Sequence, residues 1–457
     1  MGNFTANHAF RRPVVIAIAL CGLAVIPQST ATAQTWKTAV GYDRLLSERG
    51  AALETGAGVK AALVEANSGT GRYMPTTDSS EFVGKAFEDR TGSAVGPSGH
   101  ANSVGQRFFG NTQSMVPGVN DVVSFEANSW LVSALNTSEE NTPIDHTDIH
   151  VMNHSYAGST SVRTSEIILE AVDQIVDLND LTSVVAGTGG TLIAPSYNSI
   201  TVGRTAATSG FQTSVYGNGR SKPDIVAPDS AASYVTPIVS SAASLLHAKA
   251  MTMGEADGQR SETIKAVLMA GATKDEFTNW NRTTANPLDT VHGAGELNIY
   301  NSYHIMEAGQ FDGATGIGNV VGSTGWDYSL TLDPDNPLSW VFSIDSMHDL
   351  SIMLNWNLHL NDNPDETLLP RRVLANLDLR LYDSSNTLID SSLSSVDNLE
   401  HIYAKSLAAG TYRIEVAGDS STDFALAWQV TAVPEPGAML VLLMLTGVGV
   451  LRRSRSD

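Results

Sequence analysis

From Trp36 to about Ala308 the chain alternates short β-branched runs with stretches of helical spacing, and beyond residue 325 the helical spacing stops. "VKAALVEA" (59–66), "VNDVVSFEA" (119–127), "DIHVMNHSYAG" (148–158), "TSVVAGTGG" (182–190) and "SITVGRT" (199–205) read as strands. "SEIILEAVDQIVDL" (165–178), the stretch after Ser233 and "SETIKAVLMAGA" (261–272) read as helices. Strands that alternate with helices predict an α/β domain, a parallel sheet with helices on both faces, because parallel neighbours need long crossovers. Functional groups then belong in loops at the carboxyl ends of the strands. After the glycine-rich segment 309–325, runs such as "LSWVFSI", "LDLRLYDSS" and "GTYRIEVAG" alternate apolar with polar residues, as an all-β sandwich over 326–432 would. The glycines of 309–325 predict a linker, and so a sandwich separable from the α/β domain.

The two ends differ from this body. Arg11 and Arg12 precede the apolar run 14–26, and an A-x-A pattern follows at Ala31 to Ala33, which marks 1–33 as a signal peptide and starts the first domain (34–308) after it. The single cysteine, Cys21, falls inside that run, so the processed chain has neither disulfide nor thiol chemistry. At the far end, 433–457 carries Pro434-Glu435-Pro436, an apolar run over 437–451, and Arg452, Arg453 and Arg455. That run spans a bilayer only marginally, and its arginines should stay cytoplasmic. The tail resembles PEP-CTERM sorting signals, which implies an exosortase-type enzyme as a partner. Both ends imply an exported protein (periplasmic, cell-surface or extracellular) whose only membrane contact is this tail, as a transient or permanent anchor. The net charge is −21; the first 33 residues contribute +2 and the last 24 contribute +1, so the body carries −24. An acidic body argues against nucleic acid or anionic lipid as partner.

"KPDIVAPDSAASYVTPIVSSAASLLHA" (222–248) raises the chemical question. Val235, Val239, Ala242, Ala243 and Leu246 recur at helical spacing, and Pro237 is tolerated in a first turn, whose amides lack intrahelical partners. Ser233 therefore sits at a helix start, among free N–H groups that could stabilise an oxyanion. A serine is a weak nucleophile until a base accepts its proton, and the base in turn needs a carboxylate to set its tautomer.

Several phrases, in order, resemble the subtilisin-like serine peptidases. "SAASYVTPIVSSAASLL" (230–246) is similar to their nucleophile segment G-T-S-x-A-x-P-x-V-A, with Ser233, Thr236, Pro237 and Val239 on pattern. "SGHANSVGQRFFG" (98–110) resembles the H-G-T-H-V-A-G helix and implies His100 as the base. "VKAALVEANSG" (59–69) resembles the strand ending D-T-G and implies Glu65 as the acid. "HVMNHSYAG" (150–158) resembles the substrate-pairing strand, so Ser155, Tyr156, Ala157 and Gly158 are implied to bind substrate, with Gly187. "VVAGTGG" (184–190) stands where the family has A-A-G-N, which places Thr188 in the oxyanion hole beside Ser233. The resemblance spans about 50–305 and implies a secreted endopeptidase acting on protein or peptide substrates.

The departures are chemical. Glu65 is one methylene longer than the usual Asp, Ala231-Ala232 replace Gly-Thr, and Thr188 replaces an asparagine donor. The alternative is a catalytically silent relative used as a binding or structural surface protein. No cofactor is implied; a structural calcium is left open, since no Asp/Asn loop has a recognisable calcium spacing. His146, His150 and His154 recur every four residues on a strand, too far apart to share a metal. Asp145 and Asp148 read as solvated, and Trp130 and Trp280 as packing residues.

Overall fold

The computed structural model describes residues 35–433 apart from 70, 138–145, 190–191, 362–370 and 420. The signal-like segment, the PEP-CTERM-like tail and Asp145 lie outside the described residues. No described helix is long and apolar enough to cross a membrane.

Seven strands build the first sheet: β1 (Lys60–Glu65), β2 (Ala86–Asp89), β3 (Asp121–Glu126), β4 (Val151–His154), β5 (Thr182–Ala186), β6 (Ile200–Arg204) and β7 (Ile225–Ala227). Their order is β2-β3-β1-β4-β5-β6-β7 and every pairing is parallel. The helices that pack on this sheet or border the site include α1 (Gly99–Phe108), α2 (Val162–Asn179), α3 (Ala232–Met253), α4 (Ser261–Ala270) and α5 (Ile299–Ala308). Side chains alternate across β1. Ala61 and Leu63 join the cluster that holds Val104 of α1 and Val239 of α3. Ala62 and Val64 join the cluster that holds Ile168 and Val172 of α2. Two buried faces explain why β1 reads as an unbroken apolar run before its terminal carboxylate.

The topology also marks where a site belongs. The connection leaving β1 runs toward the β2 edge, while that leaving β4 runs the other way to β5, although β1 and β4 are neighbours. Loops that diverge in this way open a crevice at the carboxyl ends of the two strands. Glu65 ends β1 and Ser155 follows β4 there.

The C-terminal strands are β8 (Thr324–Ser329), β9 (Leu338–Ile344), β10 (His348–Asn355), β11 (Leu377–Asp383), β12 (Leu388–Ser392), β13 (Leu399–Leu407), β14 (Gly410–Gly418) and β15 (Phe424–Ala432). They make an antiparallel sheet β8-β15-β10-β13 facing another that contains β9-β14-β11-β12. Trp340, Leu379, Ile414, Ile352, Ile402 and Trp428 fill the space between the sheets.

The glycine-rich segment 309–325 departs from the expected free linker. Ala314–Thr315 and Asn319–Val320 both pair with β9. The glycines serve the turn between them: Gly316 and Gly318 have φ of 76° and 82°, and a Cβ on Gly318 would lie 2.6 Å from the Ser339 carbonyl oxygen. The sandwich also shares a core with the α/β domain. The β8-β15-β10-β13 sheet is buried on both faces, for Trp326, Met353, Leu399, Ala425 and Ala427 pack in the same cluster as Ile264 and Leu268 of α4 and Ile305 of α5. Polar contacts cross the same boundary: Asn357 Nδ2 donates to Glu262 Oε1 at 2.6 Å, and Leu358 N donates to Asn198 Oδ1 at 2.8 Å.

Candidate active site

Glu65 continues the Ala61/Leu63 side of β1, so its carboxylate emerges on the face that α1 and α3 cover. It is 1% exposed. His100 stands in the first turn of α1, where Ser98 caps the helix by accepting from the Ala101 amide at 3.3 Å. Burial of Ala101, Val104 and Phe108 fixes the roll of that helix and aims His100 at the end of β1. Glu65 Oε2 and His100 Nδ1 are 2.6 Å apart. A carboxylate can only accept here, so Nδ1 carries the proton and Nε2 is left with its lone pair. Burial pushes the Glu65 carboxyl up, against the opposing pull of the imidazole. The hydrogen bond that His100 donates to Glu65 raises the imidazole above its ordinary value, against its own desolvation. The second oxygen, Glu65 Oε1, is buried without a hydrogen-bond partner among the described residues.

Helix α3 begins at Ala232, one residue before Ser233, not after it. Ser233 is thus the second helical residue and Pro237 the sixth, beyond the first turn where the sequence had placed it. The proline has no N–H to offer the Ser233 carbonyl four residues back, while the Ser233 amide belongs to the turn whose N–H groups have no intrahelical acceptor. Ser233 is half-buried. Its neighbour Tyr234 ties α3 to His100: the Tyr234 and His100 rings stack with centroids 6.0 Å apart and planes at 27°. Arg107 of α1 covers the same tyrosine at 4.5 Å and is itself held by Asp229, Nε to Oδ2 at 2.8 Å. Ser233 Oγ has no hydrogen bond to His100 among the described residues. Glu65 and His100 are therefore joined, and Ser233 lies one residue from the ring stacked on His100 without closing the third link.

Thr188 is exposed just past β5, its amide bonded to the Ala186 carbonyl at 3.1 Å. It lines a cavity of about 310 Å³ together with Gly187 and Ala232, which puts Thr188 and the start of α3 on one hollow. At Gly187 a Cβ would come within 2.8 Å of the Val202 carbonyl oxygen, so no side chain fits. Of the residues after β4, Ser155 and Tyr156 turn inward, Ala157 is exposed and Gly158 is half-buried against Leu192. Burial, with Glu126 and Glu65 nearby, raises the Tyr156 phenol well above its ordinary value and keeps it neutral.

The sequence reading missed Asn153 and Ser240. Ser240 Oγ donates to Asn153 Oδ1 at 3.0 Å, and Asn153 Nδ2 donates to Ser155 Oγ at 2.9 Å, a buried bridge from α3 to the strand expected to meet substrate. The available signal was a polar residue inside each of two apolar runs. The spaced histidines separate: His146 edges Phe125, His150 Nδ1 accepts from the Lys60 amide at 3.1 Å, and His154 packs on Trp130 at 4.5 Å. Asp148, expected to be solvated, binds Lys60 Nζ at 2.7 Å and also pairs with Arg90. Trp130 is buried, and Trp280 packs edge-on against His401 and Tyr403 of β13. Among the described residues no group of three or more His, Cys, Asp or Glu could hold a metal.

No family model matches the sequence, and no curated protein does. Solved structures do resemble it. The prenylagaramide maturation protease PagA is 18% identical over 58% of this chain and 98% of its own, with a TM-score of 0.40. The patellamide maturation protease PatA is 18% identical over 56% and 99%, at 0.39. A cold-adapted subtilisin-like serine proteinase is 17% identical over 54% and 88%, at 0.35. The fold class read from the sequence, a parallel sheet between helices followed by antiparallel sheets, is the one observed.

Proposed function

We propose that the chain is a serine endopeptidase in which Ser233 attacks a peptide carbonyl, His100 is the base and Glu65 orients it. The observation that carries this reading is the 2.6 Å Glu65–His100 bond beside the helix whose first turn holds Ser233. In the first step the Ser233 Oγ–carbon bond forms and its proton passes to His100 Nε2. Negative charge on the carbonyl oxygen is met by the Ser233 amide and, more weakly, by Thr188. His100 then returns the proton to the leaving amine, and water repeats the sequence on the acyl-enzyme. Ala157, Gly158 and Gly187 offer the backbone along which an extended substrate would run, with Ser155 and Tyr156 packed behind them. The apolar run of 1–33 and the tail of 433–457 support export, with an exosortase-type enzyme as sorting partner and the tail as its recognition segment.

The alternative, a silent surface-binding protein, is favoured by the missing Ser233–His100 hydrogen bond among the described residues and by Thr188 in place of an amide donor. A fluorophosphonate probe separates the two. Covalent labelling that disappears in Ser233→Ala and survives in Ser230→Ala supports the peptidase; an unlabelled parent chain supports the silent protein.

A further inference from the structure

The cavity shared by Thr188 and Ala232 has one charged residue on its described wall, Arg204, the last residue of β6. The rest of that wall is glycine backbone and uncharged side chains, among them Ser209 and Phe211. Arg204 Nη1 donates to the Ser230 carbonyl at 3.1 Å, and the other guanidinium nitrogens have no partner among the described residues. Several other arginines are neutralised by carboxylates: Arg107 by Asp229, Arg260 by Asp180, Arg282 by Asp390 and Arg413 by Glu415. Arg204 has no carboxylate partner among the described residues and lies beside the start of the helix that carries Ser233.

None of Ser155 to Gly158 lines this cavity. Of the residues expected to meet substrate only Gly187 reaches the cavity, beside Thr188 and Ala232, the neighbour of Ser233; a cavity that adjoins the reacting carbonyl but not Ser155 to Gly158 fits the residues on the amine side of the scissile bond. We infer that it is a leaving-group subsite, and that Arg204 selects peptides with Asp or Glu in the first two positions after the cleaved bond. This rests on the peptidase reading above. The chemistry is a guanidinium with free N–H groups offered to a carboxylate, a pairing that a lysine point charge reproduces only in part. The body is acidic overall, and Arg204 supplies a local positive charge for such a side chain.

The test maps cleavage sites by mass spectrometry after the full chain digests an unfolded protein mixture. Asp and Glu should be enriched about tenfold over Asn and Gln in the two positions after the cut. The enrichment should vanish in Arg204→Gln, persist in weakened form in Arg204→Lys, and give way to Lys and Arg in Arg204→Glu. No acidic enrichment in the parent, or one that survives Arg204→Glu, overturns the proposal. If fluorophosphonate does not label Ser233, the peptidase reading fails by itself and the subsite is read by calorimetry on Ser233→Ala. Glu-Ala-Ala-amide should then bind about tenfold more tightly than Gln-Ala-Ala-amide, and Arg204→Gln should abolish the difference. Equal affinities in the Arg204 parent refute the cation site.

Discussion

Replacing Glu65 with Gln separates the catalytic value of this carboxylate from its cost to the fold. The side chain is 1% exposed and accepts from His100 Nδ1 at 2.6 Å, so the amide would occupy nearly the same space. What is lost is charge. During attack on a carbonyl the imidazole becomes a cation, and a buried carboxylate at this distance stabilises it and holds the productive tautomer. Loss of an equivalent carboxylate charge typically lowers kcat by about 10⁴, and a tenfold rate change is about 1.4 kcal/mol. Glu65→Gln should therefore lower the rate of fluorophosphonate labelling by about 10³ to 10⁴, a barrier increase of about 4–5.5 kcal/mol.

Stability should move the other way. An unfolded glutamate titrates near pH ~4.3, whereas burial raises Glu65 in the folded chain. As pH climbs between those two values the unfolded chain releases a proton that the folded chain retains, so the folded state loses relative stability and does not regain it above. The glutamine variant escapes this penalty and should be at least as resistant to urea as the parent at pH 8. The pH profile supplies a third reading. Catalysis needs neutral His100, and Glu65 raises its pKa, so the parent's acid limb should lie above the ordinary imidazole value and shift downward in Glu65→Gln. A labelling rate within tenfold of the parent, or an unmoved acid limb, would refute Glu65 as the partner of the base.

Two other perturbations address the weak donor and the shared core. Thr188→Asn places an amide donor at the same cavity and should raise kcat about tenfold in peptide hydrolysis, well short of the ~10²–10³ attributed to an optimised donor; an unchanged kcat would remove Thr188 from the oxyanion site. Ending the chain at Gly309 strips α4 and α5 of Trp326, Met353, Leu399, Ala425 and Ala427. With ~1.5–3 kcal/mol for each large apolar side chain against a typical total stability of ~5–15 kcal/mol, the truncated chain should fail to fold cooperatively by circular dichroism, and a two-state melt near that of the parent would show the halves to be independent.

The contrast between what could be read and what could not lies in the range of each signal. Periodicity is local, and it located β1, β3 and β6 to within a residue or two, because two buried faces leave a run of apolar residues that only a strand of that length accommodates. The pairing of Glu65 with His100 was expected only through the resemblance to subtilisin-like peptidases; one residue ends a strand and the other stands in the first turn of a helix far along the chain, and no local pattern joins them. Helix starts were less legible. Ala231 caps α3 without a side-chain hydrogen bond, so nothing in its composition announces that the helix begins before Ser233.

The glycines of 309–325 misled for a deeper reason. Glycine signals a backbone that must turn or pass close to another chain, and a free linker and a tight β-turn are written alike. What distinguishes them is a partner strand 20 or so residues downstream, as Ser339 is for Gly318. The doubly buried sheet is the same problem on a larger scale. Met353 and Leu354 both read as interior residues, but which of two cores each enters is decided by whether α4 lies above the sheet. That placement is a property of packing and appears nowhere in a window of sequence. It also bears on the proposed function, because α4 and α3 belong to one cluster, so the sandwich that packs against α4 shares a core with the helix that carries Ser233.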